Sequence, residues 1–103
     1  MKIHFERSGG FTGMRMAATV DDNTLPNDEA RALRQMVESA GFFDLPAHLT
    51  SATPGADQFH YVLTVEAEDR MHTVTTTDAA APAELQPLLR RLTLLARSQR
   101  SRE

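Results

Sequence analysis

The chain has 103 residues, a formal charge of −3 and no cysteine. That length gives one domain, and the missing thiols exclude a disulfide scaffold and thiolate metal sites. A composition of 41% hydrophobic and 24% charged residues describes an ordinary globule, and the negative charge disfavours nucleic-acid binding.

Lys2 to Arg7 alternates, with Ile3 and Phe5 on one face and His4 and Glu6 on the other. This is the pattern of a half-buried strand. Met14 to Val20 alternates as well, with Met14, Met16, Ala18 and Val20 together. Between them, Ser8-Gly9-Gly10-Phe11-Thr12-Gly13 is a glycine-rich turn. Pairing Phe5 with Met16 and Ile3 with Ala18 keeps both apolar sets on one face.

Asp21 to Thr24 reads as a turn. Pro26 opens a helix, with Asp28 and Glu29 in the first turn, where the helix dipole favours acids. Leu33, Met36, Val37 and Ala40 make its apolar face, and Gly41 is the expected stop. Residues 46–58 show no period and contain Pro54-Gly55, so they are predicted to be a long loop.

Phe59, Tyr61, Leu63 and Val65 alternate with His60, Val62, Thr64 and Glu66. A second alternating run covers Met71 to Thr77. Pairing Leu63 with Val74 makes one face apolar and the other rich in threonine, which suits a solvated pleat. Asp78 is read as a cap ahead of Pro82. Leu85, Leu88, Leu89, Leu92 and Leu95 then form one helical stripe, with Pro87 near its start.

The order ββαββα predicts an α+β fold: a four-stranded antiparallel sheet with two helices packed on one face. The glycine loop, the 46–58 loop and the 78–82 connection then share one end of the sheet. The 21–25 and 67–70 turns share the other. A single domain is expected over residues 1–96, carrying a charge of −5, with a frayed basic tail over 97–103 of charge +2.

No run approaches the ~18 apolar residues of a membrane span. The N-terminus has no apolar stretch for a signal peptide, so the chain is expected in the cytoplasm and off the membrane. Enzyme signatures are missing: there is no zinc-binding His-Glu-x-x-His, no phosphate loop and no dinucleotide fingerprint. The four histidines (His4, His48, His60 and His72) show no metal-ligand spacing. No cofactor and no enzymatic activity are expected.

Two residue types stand out. Phe11 sits at the tip of the glycine turn, either folded back onto the core or displayed as an anchor for a partner. Asp57 precedes the third strand and is either a turn cap or an exposed anionic ligand. Asp21 and Asp22 carry the same ambiguity.

The run Phe5-Glu6-Arg7-Ser8-Gly9-Gly10-Phe11-Thr12-Gly13 resembles the opening of emfourin-like protealysin inhibitors. The likeness continues through Val20-Asp21, Leu25-Pro26, Phe43-Asp44-Leu45-Pro46 and Asp57-Gln58-Phe59-His60-Tyr61. It ends with Pro82-Ala83-Glu84-Leu85-Gln86-Pro87-Leu88-Leu89. It implies a bacterial protein that inhibits thermolysin-like zinc metalloproteases of the protealysin type. One aspartate would reach the protease zinc while apolar residues fill substrate subsites. The physical argument favours Asp57, which should share an end of the sheet with Phe11; Asp21 and Asp22 are the rivals at the opposite end. The expected contact set is Ser8, Gly9, Gly10, Phe11, Thr12, Leu49, Pro54, Asp57 and Phe59. The free inhibitor is expected to be a monomer. The competing reading is a non-catalytic interaction or adaptor domain without inhibitory activity.

Overall fold

The structure, a computed structural model, describes residues 1–9, 15–49 and 59–101, without the side chains of residues 99–101. Four strands, β1 (Lys2–Gly9), β2 (Met16–Asp21), β3 (Phe59–Ala67) and β4 (Arg70–Thr77), form one antiparallel sheet in the order β2-β1-β3-β4. Two helices, α1 (Asn27–Ser39) and α2 (Gln86–Ser101), complete the predicted ββαββα order.

Alternation decides which face is covered. Ile3, Phe5, Val20, Leu63, Val65 and Val74 point into the core. There they meet Leu33 and Val37 of α1 and Leu88 and Leu92 of α2. The opposite face carries His4, Thr19, Thr64 and Thr73. On it, the Thr64 and Thr73 hydroxyls bond at 2.8 Å, and His4 bonds Glu66 at 3.0 Å. Arg91 of α2 donates to Glu29 of α1 at 2.8 Å and ties the helices together.

α1 ends where Gly41 takes a left-handed φ of 59°, a conformation that costs a glycine nothing. A 3-10 turn over Phe42–Asp44 then drives Phe42 into the core, edge-on to Phe43 and His72. The His72 ring nitrogen Nε2 donates to the Leu45 carbonyl at 2.7 Å, so this half-buried histidine has a polar partner.

The β3–β4 register is the predicted one: Leu63 pairs with Val74, Thr64 with Thr73 and Val62 with Thr75. The β1–β2 register differs from expectation by two residues. Phe5 faces Ala18 rather than Met16, and Ile3 faces Val20 rather than Ala18. A shift of two keeps every side chain on its predicted face, so the apolar pattern alone does not oppose it. In the observed register the pairing continues to the far end, where the Asp22 N–H donates to the Met1 carbonyl at 3.1 Å. β2 accordingly starts at Met16, and Met14 lies outside the described residues.

Two further expectations change. The start of the supposed 46–58 loop is regular: His48 bridges Thr75 in parallel, with Leu49 N–H to Thr75 carbonyl at 2.9 Å and Thr75 N–H to Ala47 carbonyl at 2.8 Å. A three-residue contact along a sheet edge is too short to leave a period in the sequence. Asp78 does not cap α2, because its carboxylate is turned back to the sheet. α2 begins at Gln86 after a turn over 83–85, and its backbone stays helical through Ser101, into the stretch read as a tail.

Candidate functional site at one end of the sheet

Gly9 closes β1 and Phe59 opens β3, and the two are cross-strand partners. The chain therefore enters residues 10–14 and leaves residues 50–58 at adjacent points. Gly9 has a positive φ of 96°, which turns the backbone away as β1 ends. Ser8 pairs with His60 one step inward. The predicted clustering of the two loop bases at one end is present.

A polar clamp holds this end. Asp78 follows β4 and stands across from Phe59. Its Oδ2 accepts the Phe59 N–H at 3.0 Å and its Oδ1 accepts the Tyr61 hydroxyl at 2.7 Å. The Asp78 N–H returns a bond to the Phe59 carbonyl at 3.3 Å. Tyr61 is nearly buried, and burial is the main reason its phenol is pushed up from 10.0 to about 12. The hydrogen bond to Asp78 and that carboxylate's charge add to the rise, while Arg7 opposes it. The Arg7 guanidinium lies 4.1 Å from the centre of the Phe59 ring, which is cation–π distance.

Leu49 and Phe59 are half-buried and pack against the core. Gly10, Phe11, Thr12, Pro54 and Asp57 lie outside the described residues.

The opposite end carries the rival aspartates, and both serve local partners. Asp21 Oδ1 accepts the Asn23 N–H at 3.0 Å, and the Thr24 hydroxyl donates to the Asp21 carbonyl at 2.8 Å. This caps the 3-10 turn Asp22–Thr24. Asp22 Oδ1 accepts from the Met1 ammonium at 3.1 Å, and Arg34 stands 3.9 Å from its Oδ2. The Asp22 side chain is only 11% exposed. Beside it, a cavity of about 270 Å³ is bordered by Arg34, Phe43, Glu68 and Arg70.

Local capping preference points Asp78 at α2, so the local sequence pattern alone does not reveal the clamp. The signal was available: the register that pairs Leu63 with Val74 also puts Asp78 opposite Phe59.

Among the described residues no three His, Asp or Glu side chains group as a metal site. No described helix is long and apolar enough to cross a membrane. No curated protein and no solved structure matches the chain. The family model for emfourin matches residues 5–93, which spans both ends of the sheet and all six regular elements in whole or in part. The chain therefore belongs to the emfourin family, whose proteins are of the metalloprotease-inhibitor type.

Proposed function

We propose that this protein inhibits thermolysin-like zinc metalloproteases of the protealysin type by occupying the active-site cleft with two loops. The observation that carries the reading is the pairing of Gly9 with Phe59, which brings the bases of both loops together. Two loops must be neighbours to enter one cleft. In this reading Asp57 supplies a carboxylate to the protease zinc, where carboxylate oxygens bind at about 2.0–2.2 Å. That displaces the water the metal would activate. Phe11 is displayed as an apolar anchor, and Ser8, Gly9, Gly10, Thr12, Leu49, Pro54 and Phe59 flank the contact. Protease–inhibitor contacts bury about 1,600 Å² in total, half from each partner. The inhibitor needs no metal of its own, and the free protein is a cytoplasmic monomer in this proposal.

The engagement of Asp21 and Asp22 with local partners supports the choice of Asp57. One observation favours the opposite end instead. The Asp22–Thr24 turn is already ordered by its own hydrogen bonds, and ordered loops lose less entropy on binding.

Titrating the purified protein against a panel of thermolysin-like proteases tests the function. Full inhibition near equimolar ratio is expected, and intact activity across the panel at micromolar inhibitor refutes it. Asp57→Ala should weaken inhibition about 30-fold or more, the effect of losing a desolvated charged contact worth about 2 kcal/mol. If Asp22→Ala abolishes inhibition in a folded protein and Asp57→Ala does not, the other end binds. Phe11→Ala should weaken inhibition without lowering thermal stability. A large drop in melting temperature would mean that Phe11 covers the core.

A further inference from the structure

On its helical side, the sheet ends in a groove of about 320 Å³. Arg7 and Tyr61 form the sheet wall; Leu89, Arg90, Leu94 and Arg97 form the helix wall. The volume falls within the lower part of the range of sites that hold small ligands or side chains. No described carboxylate lines it.

The sequence dictates this arrangement. α2 buries Leu85, Leu88, Leu89 and Leu92. Arg90, Leu94 and Arg97 follow at intervals of four and three and so share an adjacent face. Leu94 is 55% exposed, an apolar residue set between two cations. On the sheet, Arg7 follows Ile3 and Phe5 on the core-facing side, beyond the point where the apolar run ends. Its guanidinium is held against Phe59, which positions the charge without neutralising it.

The nearby acid is already used. Asp78 accepts two hydrogen bonds, from Tyr61 and from the Phe59 N–H. Tyr61 itself stays neutral at ordinary pH, because its phenol is pushed up to about 12. By contrast, Arg15 and Arg91 lie against Glu6 and Glu29, whereas Arg7 and Arg90 form no ion pair with a carboxylate among the described residues.

The geometry points to this groove as a docking site for an acidic peptide segment of a partner protein, with its carboxylates on Arg7 and Arg90 and an apolar side chain against Leu89 and Leu94. Charge complementarity selects the occupant. Arg7 and Arg90 flank an apolar floor on a chain that is acidic overall, with a formal charge of −3. A long polyanion such as nucleic acid would be repelled by the acidic remainder, while a short acidic segment fits within the groove. Arginine is suited to this role because its planar donors match a carboxylate edge.

The test is independent of protease inhibition. The full-length, isotope-labelled protein is titrated with a hexapeptide alternating glutamate and leucine, and the backbone amides are followed by NMR. Shifts centred on Leu89, Arg90, Thr93 and Leu94 are expected. Affinity should fall roughly tenfold between ~20 and ~300 mM salt. Arg90→Glu should weaken binding about tenfold, while Arg31→Glu, the same charge change on α1, should leave it intact. Both arginines are exposed, so both variants should fold. The proposal is overturned if millimolar peptide leaves those amides unmoved, if Arg90→Glu and Arg31→Glu behave alike, or if a short DNA duplex binds the same amides more tightly than the peptide.

Discussion

Tyr61 is the only tyrosine in the chain, and there is no tryptophan. Its phenolate absorbance therefore reports one site without deconvolution. The folded phenol titrates at about 12 against an ordinary 10.0. A pKa raised by folding means that the native state holds the proton more tightly. The stabilisation is then complete below pH 10 and is lost as pH rises from 10 to 12. This displacement is worth on the order of 2 kcal/mol. Asp78→Asn removes the carboxylate's charge and weakens its hydrogen bond but leaves the burial. The midpoint should fall part of the way towards 10 and stop short of it. Tyr61→Phe should abolish the alkaline loss of stability in urea melts while costing about 1–2 kcal/mol at neutral pH, where the Asp78 oxygen loses its partner. Far-ultraviolet circular dichroism on the same samples shows whether the chain is still folded. A wild-type midpoint at 10 in a folded protein would refute the clamp.

Three other substitutions probe the scaffold. Phe42 is 1% exposed, so Phe42→Ala should cost about 3–5 kcal/mol in urea denaturation; a loss under about 1 kcal/mol would mean that the 3-10 turn can swing away from the core. Gly41 has φ +59° and nothing within 4 Å of an added Cβ. Gly41→Ala should therefore cost only backbone strain, about 1–2 kcal/mol by the same measurement, and a larger loss would point to a clash that the geometry does not contain. Arg91→Ala breaks the 2.8 Å pair with Glu29. Because that pair is part-exposed, it should cost under about 1 kcal/mol, with the difference shrinking at high salt.

What the sequence discloses about the sheet depends on how distinctive each strand pattern is. β3 and β4 pair as expected because only Glu68 and Asp69 separate them, with Glu68 at φ 54°, and a two-residue turn fixes the register of a hairpin. β1 and β2 do not have that property. Ala17, Ala18 and Thr19 are small, and sliding β2 by two residues preserves every inward and outward assignment. Parity is legible; the offset is not, because backbone groups can pair in either register and no hydropathy pattern separates the two. The His48–Thr75 bridge was invisible for a related reason, because a single edge contact has no period. Asp78 is legible in principle, but local capping preference points it at α2, and the sheet competes for the carboxylate and wins it.

That competition bears on function. The bond from Asp78 to the Phe59 N–H and the one to the Tyr61 hydroxyl fix the start of β3, and β3 is the strand that Gly9 abuts. A loop leaving such a base loses fewer degrees of freedom on binding than one leaving a frayed strand. The clamp is therefore where scaffold stability and inhibitory affinity should be coupled, if this end enters the protease cleft. Tyr61→Phe would then weaken inhibition through faster dissociation, with association little changed, since the encounter does not depend on the clamp. At the opposite end the logic reverses. Asp22 holds Met1 and lies near Arg34, so presenting it to a zinc ion would first require breaking those contacts. A protein that binds through the Gly9 end keeps Asp22 as structure and uses the Asp78 clamp to order its loops. One that binds through the Asp22 end would be indifferent to Tyr61→Phe, and that single kinetic comparison separates the two.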